Sequence, residues 1–257
     1  MKMTGSVSRI GIFGGTFDPM HLGHLRLAEH ACERMGLEKM LIMPTPAPYH
    51  RTDKKVSGLE HRINMVKLTI ADSKWLEFSD FEINLPGPTY TANTLKEFQN
   101  AWPDTEIYLV VGGDSLFSMQ YWYQPEEIFS RAVILSSIRT GECGGASGIC
   151  KAEPGNWQEA AAVGLAESIT GADQKSELTA SGAEGQLRSK EHLLKTKWQA
   201  QADRLRNLYG ARICDIEMPL TDISSSDIVR RVREGLSIEG LVKDSVAEYI
   251  FRNGLYR

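Results

Sequence analysis

The chain has 257 residues, 42% hydrophobic and 24% charged, with a formal net charge of −4. That balance is the one globular proteins show, and the length suits one large α/β domain. It argues against a polybasic nucleic-acid binder. No run approaches the ~20 apolar residues of a membrane helix.

The N-terminus, "MKMTGSVSRIGIF", has no long apolar stretch for export, so the expected location is cytoplasmic. Cys32, Cys143, Cys150 and Cys214 are scattered, with no CxxC pair. Free thiols fit better than a disulfide framework, and no metal site is expected from them.

In chain order, "SRIGIF" has the apolar, β-branched character of a buried strand, and Leu25, Ala28, Cys32 and Met35 then recur at helical spacing. "KMLIMP" is a strand, followed by the polar, proline-bearing loop "TPAPYHRTDKKVSG". "LEHRINMVKLTIAD" reads as an amphipathic helix through Ile63, Val66, Leu68 and Ile70. "WLEFSDFEI" alternates like a strand, and "TANTLKEFQNAW" is a helix. "TEIYLVVGGD" is a strand running into a glycine turn, "QPEEIFSRA" a short helix and "AVILSSI" another strand.

Residues 140 to 186 break the rhythm: they are rich in glycine and alanine, acidic and aperiodic. They read as a flexible insertion within a single domain spanning 1–257. A basic amphipathic helix resumes from Ser189 to Tyr209, then a strand in "ARICDIEM", a serine-capped helix in "SSSDIVRRVREG" and a closing helix in "SVAEYIFRNGLYR". Strands alternating with helices predict a parallel sheet covered on both faces, a Rossmann-like doubly wound α/β fold. Ligands of such sheets sit at the carboxyl ends of the strands.

The densest chemistry lies in "GIFGGTFDPMHLGH", residues 11 to 24. Gly14 and Gly15 let the chain turn sharply and let a ligand approach the main chain. Asp18-Pro19 reads as a helix start, with aspartate as N-cap and proline first in the helix. His21 and His24 then share one face, three residues apart. A strand, a glycine turn and a helix N-terminus form an anion site, and two imidazoles add donors for phosphate oxygens. Neither the GxxxxGK[ST] pattern nor a GxGxxG is present.

"GGTFDPMHLGH" resembles the HxGH signature of the nucleotidyltransferase superfamily, with His21 and His24 as its two histidines. The signature alone leaves pantetheine-phosphate, FMN and nicotinate-mononucleotide adenylyltransferases open. Four stretches are similar to the nicotinate-mononucleotide branch: "PTPAPYHR", "PTYTANTL", "VGGDSLFSMQYWY" and "DISSSDIVRR", with "NGLYR" at the C-terminal end.

The resemblance implies transfer of the adenylyl group of ATP to nicotinate mononucleotide, giving deamido-NAD and pyrophosphate. Magnesium would come with ATP, and the resemblance leaves the oligomeric state, including a homo-oligomer, open. It implies His21 and His24 as catalytic donors. Gly14, Gly15, Thr16, Phe17, Gly112, Asp114, Ser224, Ser225, Ser226 and Arg139 would form the ATP and phosphate side. Tyr90, Thr91, Trp122, Tyr123, His50 and Arg51 would form the mononucleotide side.

Within that set Trp122 offers a flat face for a pyridine ring. Thr91 is expected to cap its helix, where free N–H groups suit a carboxylate. Asp114 is placed to accept a ribose hydroxyl. The chain departs from the family pattern at Val229, where an arginine is usual. Arg230 and Arg231 lie about 100° and 200° round the helix from it. It departs again at Arg139-Thr140-Gly141, where R-P-G is frequent. The rival readings are another HxGH adenylyltransferase, such as a pantetheine-phosphate enzyme, and a nucleotide-sensing module without turnover.

Overall fold

The computed structural model describes residues 7–46, 56–136, 182–216 and 223–257. The chain runs β1 (Ser8–Gly15), α1 (Leu22–Met35), β2 (Lys39–Pro44), α2 (Leu59–Ile70), β3 (Leu76–Phe78), α3 (Phe81–Asn84) and α4 (Thr91–Ala101). It continues with β4 (Thr105–Val111), α5 (Gly113–Ser118), a 3-10 turn (Met119–Tyr121), α6 (Pro125–Arg131) and β5 (Ala132–Ser136). The remaining elements are α7 (Gly182–Tyr209), β6 (Arg212–Asp215), α8 (Ser225–Arg233) and α9 (Asp244–Arg252).

The six strands form one sheet in the order β3-β2-β1-β4-β5-β6, every pair parallel. This is the expected doubly wound fold. Winding reverses between β1 and β4, so the ligand crevice of such a sheet opens beyond the carboxyl ends of these two strands. Gly14 and Gly15 end β1 there, and Gly112 follows β4.

Alternating strand residues build the two faces. Ile107, Leu109 and Val111 pack with Leu95 and Phe98 of α4, Ile128 of α6 and Trp198 and Leu205 of α7. Tyr108 and Val110 pack on the other side with Ala28 and Cys32 of α1 and Val66 and Ile70 of α2. A third apolar cluster stands apart from the sheet: Met65 of α2 with Ile228, Val232, Ile238, Val242, Val246 and Ile250. No helix among the described residues is long and apolar enough to cross a membrane.

Several expectations shift. Helix α1 begins at Leu22 rather than at Asp18-Pro19. In "WLEFSDFEI" only Leu76–Phe78 is strand, and the chain then coils into α3. The Phe81 ring there meets Phe98 edge-on at 5.5 Å under α4, a contact a straight strand would forgo. The buried stripe of α2 is Arg62, Met65, Val66, Thr69 and Ile70, offset from the expected one. Helix α7 starts at Gly182, so it takes in the last residues of the expected insertion, whose 140–181 portion lies outside the described residues.

Candidate active site

At the N-terminus of α1 the two histidines cap each other. The Nδ1 of His21, the N-cap residue, accepts the backbone N–H of His24 at 3.3 Å. In return the Nδ1 of His24 accepts the backbone N–H of His21, also at 3.3 Å. The pattern is that of a capping box, in which side chains at N-cap and N3 satisfy each other's orphan backbone donors. The rings stack with centroids 3.7 Å apart and planes 23° from parallel. Because Nδ1 accepts in both rings, the neutral tautomer carries its proton on Nε2.

The histidines therefore take the capping role expected of Asp18. The Asp18 carboxylate is engaged elsewhere: one oxygen accepts the Ser57 N–H at 2.9 Å, the other the Tyr256 hydroxyl at 2.6 Å. Phe17 holds a left-handed φ of +48° and is buried. It packs edge-on against Phe13 at 5.4 Å and His24 at 5.3 Å, so its side chain supports the turn from beneath and does not line a crevice. A Cβ on Gly15 would lie 3.0 Å from the Phe17 ring, whereas one on Gly14 would meet nothing within 4 Å. Gly14 thus leaves the main chain open at the end of β1.

Arg62 is the residue that sequence reasoning missed. It is 1% exposed and donates to four backbone carbonyls: Thr16 and Thr45 at 2.8 Å, Pro46 at 3.1 Å and Ser57 at 3.2 Å. It ties the histidine turn to the segments after β2 and before α2. Burial lowers its pKa, while the neighbouring Asp18 and Tyr256 act in the opposite sense. The available signal was its position: Arg62 falls on one helical stripe with Met65, Val66 and Thr69. Tyr256 has no such periodic signal, although it lies in "NGLYR", one of the stretches that resemble the family. Burial, and then the Asp18 charge, push its phenol well above the ordinary value, so it remains a donor.

On the opposite side of the crevice, Tyr90 rather than Thr91 is the N-cap of α4, and it makes no side-chain cap bond; Thr91 is the first helical residue. The Tyr90 ring stacks on Tyr123 at 4.5 Å, 24° from parallel. Trp122 is half-buried against the sheet core and donates from Nε1 to the Ser118 hydroxyl at 3.2 Å. The more exposed aromatic of this pair is Tyr123. Asp114 is the second residue of α5, behind Gly112, the N-cap; its side chain lies outside the description.

Beneath α4, Glu82 is buried, and burial pushes its carboxyl up to about 7 against the opposing hydrogen bond from Thr94. The Thr94 hydroxyl is 3.1 Å from Glu82 Oε1 and 3.3 Å from the Tyr90 carbonyl. It has one proton to donate. When it donates to Tyr90, a protonated Glu82 completes the chain by donating to Thr94.

The N-terminus of α8 meets the histidine turn. Ser224 is its N-cap and accepts the Asp227 N–H at 3.1 Å. Ser225 donates to the Pro19 carbonyl at 3.0 Å, which joins α8 to the histidine turn, and Ser226 is exposed in the first turn. Arg230 pairs with Asp227 and Glu234, both at 2.6 Å, and Arg231 with Asp227 at 2.8 Å. Arg231 also donates to the Ser237 carbonyl at 3.2 Å, so both arginines are engaged around α8 itself. His50, Arg51 and Arg139 lie outside the described residues. Among the described residues no three His, Cys, Asp or Glu side chains are grouped to hold a metal ion.

The cytidylyltransferase-like family model matches residues 12–231. A protein of Dehalococcoides mccartyi named "Probable nicotinate-nucleotide adenylyltransferase" is 32% identical over 249 residues, covering 96% of this chain and 97% of that one. A protein of the same name from Lachnoclostridium phytofermentans is 31% identical over 248 residues, covering 96% and 98%. Among solved structures, Plasmodium falciparum nicotinic acid mononucleotide adenylyltransferase complexed with NaAD shares the fold, with a TM-score of 0.60 at 17% identity and 97% of each chain covered. Matched along nearly its whole length, the chain belongs to the cytidylyltransferase-like family and, within it, to the nicotinate-nucleotide adenylyltransferases.

Proposed function

We propose that the chain transfers the adenylyl group of ATP to nicotinate mononucleotide, yielding deamido-NAD and pyrophosphate. The observation that carries this reading is the reciprocal cap of His21 and His24. It fixes two imidazoles, each with its Nε2 as donor, at the carboxyl end of β1, beside the switch point of the sheet.

A 5′-phosphate oxygen of the mononucleotide attacks the α-phosphorus of ATP. The bond to the bridging oxygen breaks, and pyrophosphate leaves with the electron pair. The substrate brings its own nucleophile, so the protein's part is positioning and charge stabilisation. His21 and His24 donate from Nε2 to triphosphate oxygens as negative charge builds toward the leaving group. The N-terminus of α1 adds its dipole. Gly14 lets the phosphates approach the main chain, and Ser226 adds a hydroxyl from α8. Asp114 is assigned to the ribose, and Tyr90, Thr91, Trp122 and Tyr123 to the pyridine side, on their resemblance to the family's motifs.

Magnesium enters on the phosphates of ATP, as part of the substrate. The described residues bring no cage of carboxylates to it, and the steps above assign it no protein ligand.

The test is pyrophosphate release from ATP with nicotinate mononucleotide, nicotinamide mononucleotide and phosphopantetheine as acceptors. Release with nicotinate mononucleotide, and identification of the dinucleotide product, supports the reading. Release with phosphopantetheine alone makes the chain a different adenylyltransferase. ATP binding without release under any acceptor makes it a nucleotide-sensing module.

A further inference from the structure

The turn that carries the two histidines is held from far along the chain. Its Thr16 carbonyl is bound by Arg62, its Pro19 carbonyl by Ser225, and the Leu22 N–H by the Leu241 carbonyl at 3.0 Å. Its one carboxylate, Asp18, is 8% exposed. A buried charge needs partners on its oxygens, and Asp18 has one on each: the Ser57 N–H and the Tyr256 hydroxyl.

Backbone strain marks both ends of the Asp18–Tyr256 link. Three non-glycine residues among those described have positive φ: Phe17 at +48°, Gln124 at +48° and Tyr256 at +65°. Phe17 adjoins Asp18, and Tyr256 is its partner. Left-handed backbone is rare for bulky residues and persists where the surroundings over-determine it, most often at functional sites. The cap bonds between His21 and His24 are long, at 3.3 Å each. These bonds and the ring stack fix the two imidazoles relative to each other, so the direction in which the pair points depends on how firmly the preceding residues are held.

We propose that Tyr256 is a positioning residue for adenylyl transfer: through Asp18, its hydroxyl holds the histidine turn in the geometry that aims His21 and His24 at the triphosphate. This rests on the reading of the site given above. Anchoring α9 does not require the Tyr256 hydroxyl. Val246 and Ile250 bury that helix in the third cluster, and the Tyr249 hydroxyl is already bonded to Asn64 at 2.9 Å and lies 3.0 Å from His61 Nδ1.

The test compares wild type with Tyr256→Phe, which keeps the ring against the third cluster and deletes the hydroxyl, with its bond to Asp18 and its 3.7 Å contact with the Met65 sulfur. Three quantities are read: steady-state constants with ATP and nicotinate mononucleotide, the melting temperature, and the ring nitrogen resonances of His21 and His24. The expected result is a fall in kcat of about tenfold, in line with the steep cost of small misplacements. KM values should change by less than about twofold, because the binding groups are untouched. The melting temperature should fall by a few degrees, because Asp18 Oδ1 loses its donor; the kcat loss should persist well below both melting temperatures, and the ring resonances of both histidines should shift.

An unchanged kcat overturns the proposal, as does a kcat loss that comes without a resonance shift or disappears when both proteins are assayed well below their melting temperatures. If the wild type itself releases no pyrophosphate, the functional reading fails. The resonances alone then decide whether Tyr256 orients the histidines: a shift upholds that link, and its absence removes it.

Discussion

His21 and His24 each use one ring nitrogen to finish the other's backbone: the two Nδ1 atoms accept the two N–H groups at 3.3 Å, and the rings stack at 3.7 Å. The division of labour between Nδ1 and Nε2 is open to substitution. Asparagine places an acceptor near Nδ1, and glutamine places a donor near Nε2. His24→Asn is expected to keep the cap and the melting temperature while lowering kcat by about 10²-fold, the scale of losing one preorganised donor. His24→Gln is expected to lose about 1 kcal/mol of stability with the cap and to retain more turnover than the asparagine variant. Assays and thermal melts on both variants check the split; parallel losses in the two would remove the division.

Arg62 carries a second prediction. Its four carbonyl acceptors lie on three segments, the histidine turn, the end of β2 and the approach to α2. Arg62→Met matches the apolar stem but leaves those carbonyls without their donor. It should destabilise the fold by about 3 kcal/mol or more, since each unsatisfied buried group costs about 1–3 kcal/mol. Arg62→Lys should recover only part of this, because one ammonium cannot span the fork. Urea unfolding of the three proteins measures both.

Glu82 should give the stability a pH dependence of definite sign. The unfolded chain releases this proton near the ordinary value of 4.5, the folded protein only near about 7. Between those values the unfolded state has ionised and the folded state has not, so raising the pH weakens folding across this window and leaves it level above. The ceiling on the effect is about 3 kcal/mol at 1.36 kcal/mol per unit. Glu82→Gln removes the decline. Melting curves from pH 4 to pH 8 on both proteins provide the check, and a shared slope would show that Glu82 does not titrate there.

The proposed placement of the pyridine ring at α4 carries a prediction for specificity. The N-cap of α4, Tyr90, makes no side-chain cap bond to the first N–H groups of the helix. Donors alone suit a carboxylate, which accepts on both oxygens. An amide would turn its NH2 toward one donor and leave it unpaired, at about 1–3 kcal/mol. The expected preference for nicotinate over nicotinamide mononucleotide is therefore about 5- to 150-fold in kcat/KM, with the larger ratios of a site built on such pairing also within reach. Equal constants under one ATP and magnesium condition would detach this role from Tyr90 and Thr91.

Local chemistry was legible where local chemistry decides. "SRIGIF", "KMLIMP", "TEIYLVV" and "AVILS" are apolar runs bounded by turn residues, and each is a strand of the sheet. The histidine turn and the serine start of α8 were legible for the same reason. The misses share a different cause. Asp18 failed as a cap because its oxygens are taken by Ser57 and Tyr256, which lie 39 and 238 positions away in the chain. Such partners leave no trace in a short window. Arg62 was overlooked because its acceptors are main-chain carbonyls, which no sequence pattern displays. "WLEFSDFEI" has the alternation of a strand, yet its second half packs better as a turn of helix against Phe98.

The separation of the third apolar cluster from the two sheet faces bears on how the molecule comes apart. Small, peripheral cores open at lower free energy than a central sheet. Ser225 and Leu241 hold the histidine turn from around this cluster, and Tyr256 packs against it. A partial opening confined to α8 and α9 would release all three holds while the six parallel strands stayed paired. In a urea titration, turnover should vanish at concentrations where the sheet's circular dichroism is still intact, so that the catalyst fails before the protein unfolds.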